Sequence, residues 1–147
     1  MSRLFPCLLL VIAACTPEAD MPPPEIVSFS VEPSSVAAGE TVEASLELLH
    51  FTFSDGGHGN HDGDHMGHDH DDHGGDMAGH VHIYLDDLET NPVKMMMSAD
   101  DVAVTIPTDT EAGEHVLIAR LHRGDHTVYE PSVLSEADLT VTVPSAE

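Results

Sequence analysis

His80 and His82 stand one residue apart in "HVHIYLDD", a stretch that alternates between two kinds of side chain. On a strand, residues two apart project from the same face, so the two imidazoles would stand side by side and can chelate one metal ion. A third ligand is then needed. The candidates are His115 in "GEHV", His122 at the end of the next strand and His126 across "HRGDH". Asp86 or Asp125 can serve as a carboxylate ligand or as the acceptor that orients an imidazole. The competing reading leaves His80 and His82 on a solvated face and has His115 hydrogen-bonded at a corner.

Just before this pair, residues 54–79 read "SDGGHGNHDGDHMGHDHDDHGGDMAG", with six histidines, seven aspartates and eight glycines. Met66, Met77 and Ala78 are its only apolar members, so it cannot build a core and is expected to be a flexible loop inserted between two strands. It is internal and irregularly spaced, unlike an expression tag. His58, His61, His65, His68, His70 and His73, set among carboxylates on a glycine-rich backbone, offer many competing ligand sets for a divalent transition metal. That ligand menu favours Zn²⁺, Ni²⁺ or Cu²⁺, with Cu²⁺ first in intrinsic affinity. Loose ligands lose entropy on ordering, which suits a buffer that holds several ions with moderate affinity. The bland alternative is a solvated acidic spacer.

The elements that would position these ligands are strands. Apolar residues recur at every second position in Val27, Phe29 and Val31, in Val42, Ala44, Leu46 and Leu48, and in Val81, Ile83 and Leu85. The same period returns in Val102, Val104 and Ile106, in Leu117, Ala119 and Leu121, and in Leu139, Val141 and Val143. After Leu48 the phase moves to Leu49, Phe51 and Phe53, which reads as a bulge in mid-strand. Six or seven short strands, punctuated by Gly, Pro and Asp and with no amphipathic helix, predict an all-β fold: an antiparallel β-sandwich of immunoglobulin-like or cupredoxin-like type. A chain of 147 residues has room for one such domain, placed at 26–144 and interrupted by the loop.

The N-terminal "MSRLFPCLLLVIAACTPEAD" joins Arg3, an apolar run and a small-residue step, the features of a secretory signal. The run, about eleven residues, is too short to cross a ~30 Å hydrocarbon layer as a helix. "IAAC" resembles the lipobox of bacterial lipoproteins. That resemblance implies cleavage after residue 14 and acylation of Cys15, which would anchor the chain in a membrane. Thr16 rather than Asp in the next position implies the outer membrane of a two-membrane host, facing the periplasm or the cell surface. Residues 15–25, rich in proline and acid, would form an extended tether of ~3.1 Å per residue. Cys7 would leave with the signal and Cys15 would be acylated, so neither a disulfide nor thiolate chemistry is expected. Losing residues 1–14 removes Arg3 and takes the formal charge from −23 to −24. Such a chain repels nucleic acid and attracts cations.

"GHVHIYLDD" together with "PTDTEAGEHVLIARLHRGDHTVYEPSVLSEADLTVTV" resembles a small bacterial periplasmic domain family of unknown function, the one numbered 4399. Its members share a histidine-rich strand, a Gly-Glu-His corner, a Gly-Asp-His turn and a following Pro-Val-x-Ser-Glu. The resemblance covers about residues 79–143 and carries over His80, His82, Gly113, Glu114, His115, Asp125, His126, Pro131, Val133 and Ser135. Ser132 replaces a proline common in the family, and Tyr129 and Glu130 stand where its members are rich in His and Pro. The resemblance implies a periplasmic setting and a recurrent histidine set, with no activity attached.

"RGD" at 123–125 reads as a tight hairpin turn, and "KMMM" at 94–97 as a short apolar strand or loop packed on the core, with thioether ligation of Cu⁺ as its alternative. There is no phosphate-binding glycine loop, no Ser/His/Asp set and no basic patch. The expectation is therefore a lipid-anchored envelope protein, not an enzyme. It would bind divalent transition metal through the tract and the strand histidines, and buffer the metal or pass it to a partner protein. An adhesion or scaffold module with an incidental tract is the alternative from another class. A metalloenzyme with an open water position comes third, for want of a general base.

Overall fold

The computed structural model describes residues 22–54 and 77–143. The expected signal segment, Cys15, the first part of the expected tether and the tract histidines His58, His61, His65, His68, His70 and His73 lie outside the described residues. The fold is all-β, as the period-two pattern predicts, with no helix among the described residues. Nine strands follow in order: β1 (Glu25–Glu32), β2 (Ser35–Ala37), β3 (Thr41–Leu49), β4 (Thr52–Phe53), β5 (Ala78–Leu85), β6 (Lys94–Met96), β7 (Val102–Thr105), β8 (Gly113–Arg123) and β9 (Leu134–Thr142).

They form two sheets. The smaller has the order β1-β3-β7; the larger runs β2-β9-β8-β5-β4, with β6 also paired to β5. One core lies between them. Phe29, Val31, Val42, Ala44 and Val104 enter it from the small sheet, and Val81, Ile83, Met96, Leu117, Ala119, Leu121, Leu139 and Val141 from the large one. Every second residue of each strand supplies this face, and a buried Val, Leu or Ile stabilises the fold by roughly 1.5–3 kcal/mol.

Several details depart from the alternation. The irregularity lies in β1, where the register with β3 shifts between Ile26 and Ser28 and leaves Val27 46 % exposed. In contrast, β3 runs without a bulge to Leu49, and the chain then turns at His50 (φ 55°) into β4 of the other sheet. The phase change after Leu48 thus marks a change of sheet rather than a bulge. Val143 is 75 % exposed and lies outside the core.

Two pairings, β2 with β9 and β4 with β5, are parallel. A parallel pair cannot be closed by a two-residue hairpin and needs a connection of a dozen or more residues, and the stretch from Ser54 to Met77 is that connection. Its margins belong to the sheet. The Thr52 N–H donates to the Met77 carbonyl (3.0 Å) and the Ser54 N–H to the Gly79 carbonyl (2.7 Å), so the strand begins earlier than a loop over 54–79 allows.

β5 and β8 pair with His80 opposite His122, His82 opposite Arg120 and Tyr84 opposite Ile118. These six side chains share the face turned away from Val81, Ile83 and Leu121. Gly79 lies opposite Arg123, and a Cβ there would strike the carbonyl oxygen of His122 and the Cα of Arg123. Only glycine lets the two strands approach so closely beside His80.

Candidate metal centre

β8 ends in a hairpin turn at Arg123, Gly124, Asp125 and His126. The Arg123 carbonyl accepts the His126 N–H (2.9 Å), and the Arg123 N–H donates to the Thr127 carbonyl (2.8 Å). One oxygen of the Asp125 carboxylate, Oδ1, is engaged within the turn, accepting both the N–H (2.9 Å) and the hydroxyl (2.6 Å) of Thr127. "RGD" is therefore a turn, and Asp125 lies outside the histidine group. His126 closes the loop with φ 67°, a left-handed position that glycine normally fills in a three-residue hairpin loop.

This turn brings the ring of His126 over β5. Its Nδ1 lies 3.1 Å from His80 Nε2, with one proton available between two nitrogens. Two imidazole ligands of a tetrahedral ion at ~2.0–2.1 Å stand ~3.3–3.4 Å apart, so an ion can replace that proton with little movement. His82 completes the group: one ligand atom from each of His80, His82 and His126 falls within 4.8 Å of the others. Among the described residues this is the group of His, Cys, Asp or Glu side chains able to hold a metal ion. His80 is 1 % and His82 9 % exposed, whereas His126 is exposed, so the site opens to solvent on one side.

Two buried ring nitrogens, His80 Nδ1 and His82 Nε2, have no hydrogen-bond partner. Buried polar atoms are satisfied in the great majority of cases, and an orphan points to a missing ion or water. The other nitrogen of His82 is engaged: Nδ1 lies 3.2 Å from the Tyr84 hydroxyl, which fixes the ring while leaving Nε2 free.

His122 plays a different part. Arg120 has no acceptor, so its Nε–H donates to His122 Nε2 (3.2 Å) and the proton of the neutral ring sits on Nδ1. That N–H donates to the carbonyl of His126 (3.0 Å). Its ring stacks on His82, with centroids 4.1 Å apart and planes 26° from parallel. Both nitrogens of His122 are thus in use, and the residue positions His82 and His126. The Tyr84 hydroxyl, 3.2 Å from His122 Nε2 and 3.4 Å from a terminal nitrogen of Arg120, ties the set together. Neither Tyr84 nor Arg120 stands out in the sequence as a site residue. The signal was their spacing, since Tyr84 follows His82 by two and Arg120 precedes His122 by two on the same strand faces.

The environment favours the neutral form of His80, His82 and His122. Burial pushes His82 down to about 4, assisted by His122, His80, His126 and Arg120. His80 is lowered by burial first and then by His126 and His122. Burial also lowers His122, against the bond to the His126 carbonyl, which acts the other way. A neutral imidazole has the lone pair that a metal needs.

His115 stands apart from this cluster. Its Nε2 lies 2.8 Å from the backbone carbonyl of Glu111 and its Nδ1 2.8 Å from the Asp86 carboxylate. Both partners only accept, a geometry that favours the imidazolium, and the Asp86 bond first raises its pKa above the usual histidine value. Asp86 also accepts the Val116 N–H (3.0 Å). His115 and Asp86 are accordingly a corner that fastens β5 to β8, not ligands.

The chain matches no protein-family model, no curated protein and no solved structure. The functional reading consequently stands on the geometry.

Proposed function

We propose that this chain is an envelope metal-binding protein that gathers divalent transition metal (Zn, Cu or Ni) on its histidine tract and holds one ion at His80, His82 and His126. The observation that carries the reading is the convergence of three imidazoles, two from β5 and one from the turn after β8, with the buried Nε2 of His82 left without a hydrogen-bond partner among them. Anchoring through acylated Cys15 and an extended tether belongs to the same proposal, as does buffering metal or passing it to a partner protein. The lipobox-like step and the resemblance of residues 79–143 to a periplasmic domain family support that setting.

The test is the metal content of the full chain purified without a metal column and dialysed against micromolar Zn²⁺, Ni²⁺ or Cu²⁺. Substituting His58→Ser, His61→Ser, His65→Ser, His68→Ser, His70→Ser and His73→Ser should lower the stoichiometry to a single ion. Adding His80→Ala and His82→Ala should remove that ion. Its retention in the last variant, or an empty unmodified chain, overturns the proposal.

A further inference from the structure

The face that carries the histidines does not end at β5. β6 pairs antiparallel with β5 in the register Val81 to Met96, His82 to Met95 and Ile83 to Lys94. Residues directly opposite in an antiparallel pair project from the same face, with Cβ atoms about 4.5–5.5 Å apart. Met95 therefore flanks His82 on the outer face, while Met96 turns into the core. Burial agrees: Met96 is 1 % exposed, and Met95 and Met97 are each 42 % exposed. Met97 follows directly after the end of β6. "KMMM" so divides its methionines between two tasks, one packing the core and two left half-open, Met95 beside His82 and Met97 just past the strand end.

A second observation concerns charge. Across the sheet from Met95, the residue opposite His82 on β8 is Arg120, whose guanidinium bonds to the ring of His122. Among the described residues no carboxylate joins the histidine group: Asp86 is bound to His115 and Asp125 to Thr127. The fixed positive charge of Arg120, beside neutral imidazoles and thioethers, repels a divalent cation more than a monovalent one. Thioether sulfur is a soft ligand that selects Cu⁺ over Zn²⁺ or Ni²⁺. The tract, with six imidazoles, seven carboxylates and two methionines between residues 54 and 79, has the opposite character.

We infer that Met95 and Met97 extend the His80, His82 and His126 group into a site for monovalent copper. This inference rests on the metal-binding reading above and sharpens its choice of ion at the ordered site. Copper enters and leaves as Cu⁺, with no change of oxidation state required of the protein. Half-exposed thioethers at the rim suit exchange of a soft ion with a donor or acceptor protein.

The experiment uses the full chain with the six tract substitutions, so that the ordered site alone is read. Cu⁺ affinity is measured anaerobically by competition with bicinchoninate, and Zn²⁺ affinity by competition with a fluorescent chelator. Met95→Leu with Met97→Leu conserves volume and leaves the core untouched, and unchanged thermal unfolding of the metal-free variant verifies the fold. We expect Cu⁺ affinity to fall at least about tenfold with Zn²⁺ affinity unchanged, and a sulfur shell in the Cu⁺ X-ray absorption spectrum to disappear. Unchanged Cu⁺ affinity in the double variant, or equal losses for both ions, overturns the thioether inference. If His80→Ala with His82→Ala then abolishes binding of either ion, the histidine site survives that result; if it abolishes neither, the metal-binding reading falls as well.

Discussion

The ring of His122 donates a hydrogen bond through Nδ1 to the backbone carbonyl of His126 at 3.0 Å, so a buried strand histidine holds the main chain of an exposed turn histidine. The direction of that bond follows from Arg120, which can only donate and occupies the opposite nitrogen. One guanidinium thereby sets the tautomer of one imidazole, which in turn fixes the backbone that aims another. The result is a base of His80, His82 and His122 under a single solvent-facing imidazole, an arrangement that would suit an ion held reversibly.

His126 separates structural from functional roles in a way that substitution can read. Its left-handed backbone favours glycine, so His126→Gly relieves strain while His126→Ala keeps it. Both remove the ring. We expect the glycine variant to be the more stable of the two by roughly 1 kcal/mol in urea unfolding, and both to lose metal affinity by at least about tenfold. Equal stability of the two would show that the turn tolerates its geometry without cost, and undiminished affinity would remove His126 from the site.

How much of this was legible in the sequence differs from residue to residue. His80 and His82 on one face, and Val81 and Ile83 on the other, follow from alternation alone. The third ligand does not, because His115, His122 and His126 all lie within one hairpin and period two says nothing about a turn. His115 shares a strand face with Leu117 and points away from the cluster, whereas His122 has the right face but both nitrogens engaged. Strand face separates His115 from the cluster, and hydrogen-bond geometry separates His122 from His126. The bulge expected after Leu48 failed for a related reason, since a chain that changes sheets produces the same phase shift as one that bulges.

His115 should behave as a structural residue. Removing the imidazolium by His115→Ala breaks bonds to Asp86 and to the Glu111 carbonyl and should lower stability by about 1.5–3 kcal/mol, the range for bonds to charged groups, while metal affinity stays the same. Because its folded pKa is raised, this contribution is fully present below about 6.5 and disappears as pH rises through the higher folded value. Urea unfolding of the parent and variant at pH 6 and pH 9 should therefore converge at the higher pH. A loss of metal at unchanged stability would return His115 to the ligand set.

The cluster histidines act in the opposite sense. His80, His82 and His122 all have lowered folded pKa values, His82 at about 4. Between that value and the ~6.5 of a free imidazole, the unfolded chain binds protons that the folded one refuses, so the metal-free protein loses stability as pH falls through this window. The check is urea unfolding from pH 7.5 to pH 4.5 for the parent and His82→Gln, the variant showing the shallower fall. Parallel pH curves for the two proteins would mean that His82 does not titrate as its burial requires.

Gly79 offers the most direct test of whether the close approach of β5 and β8 matters to the site. A Cβ at this position meets backbone atoms of His122 and Arg123 rather than a flexible side chain, so no rotamer change relieves it. The strands must part at the step next to the His80–His122 pair, shifting His80 against the turn that carries His126. Overpacking of this kind costs about 1–3 kcal/mol, and misplacing one of three ligands should weaken metal binding as well. Gly79→Ala is thus expected to lower both the unfolding midpoint and the metal affinity, whereas Gly39→Ala, at a turn remote from the cluster, should lower only the midpoint. Should Gly79→Ala lose stability yet bind metal like the parent, the ion would be held without the spacing that β5 and β8 impose on His80.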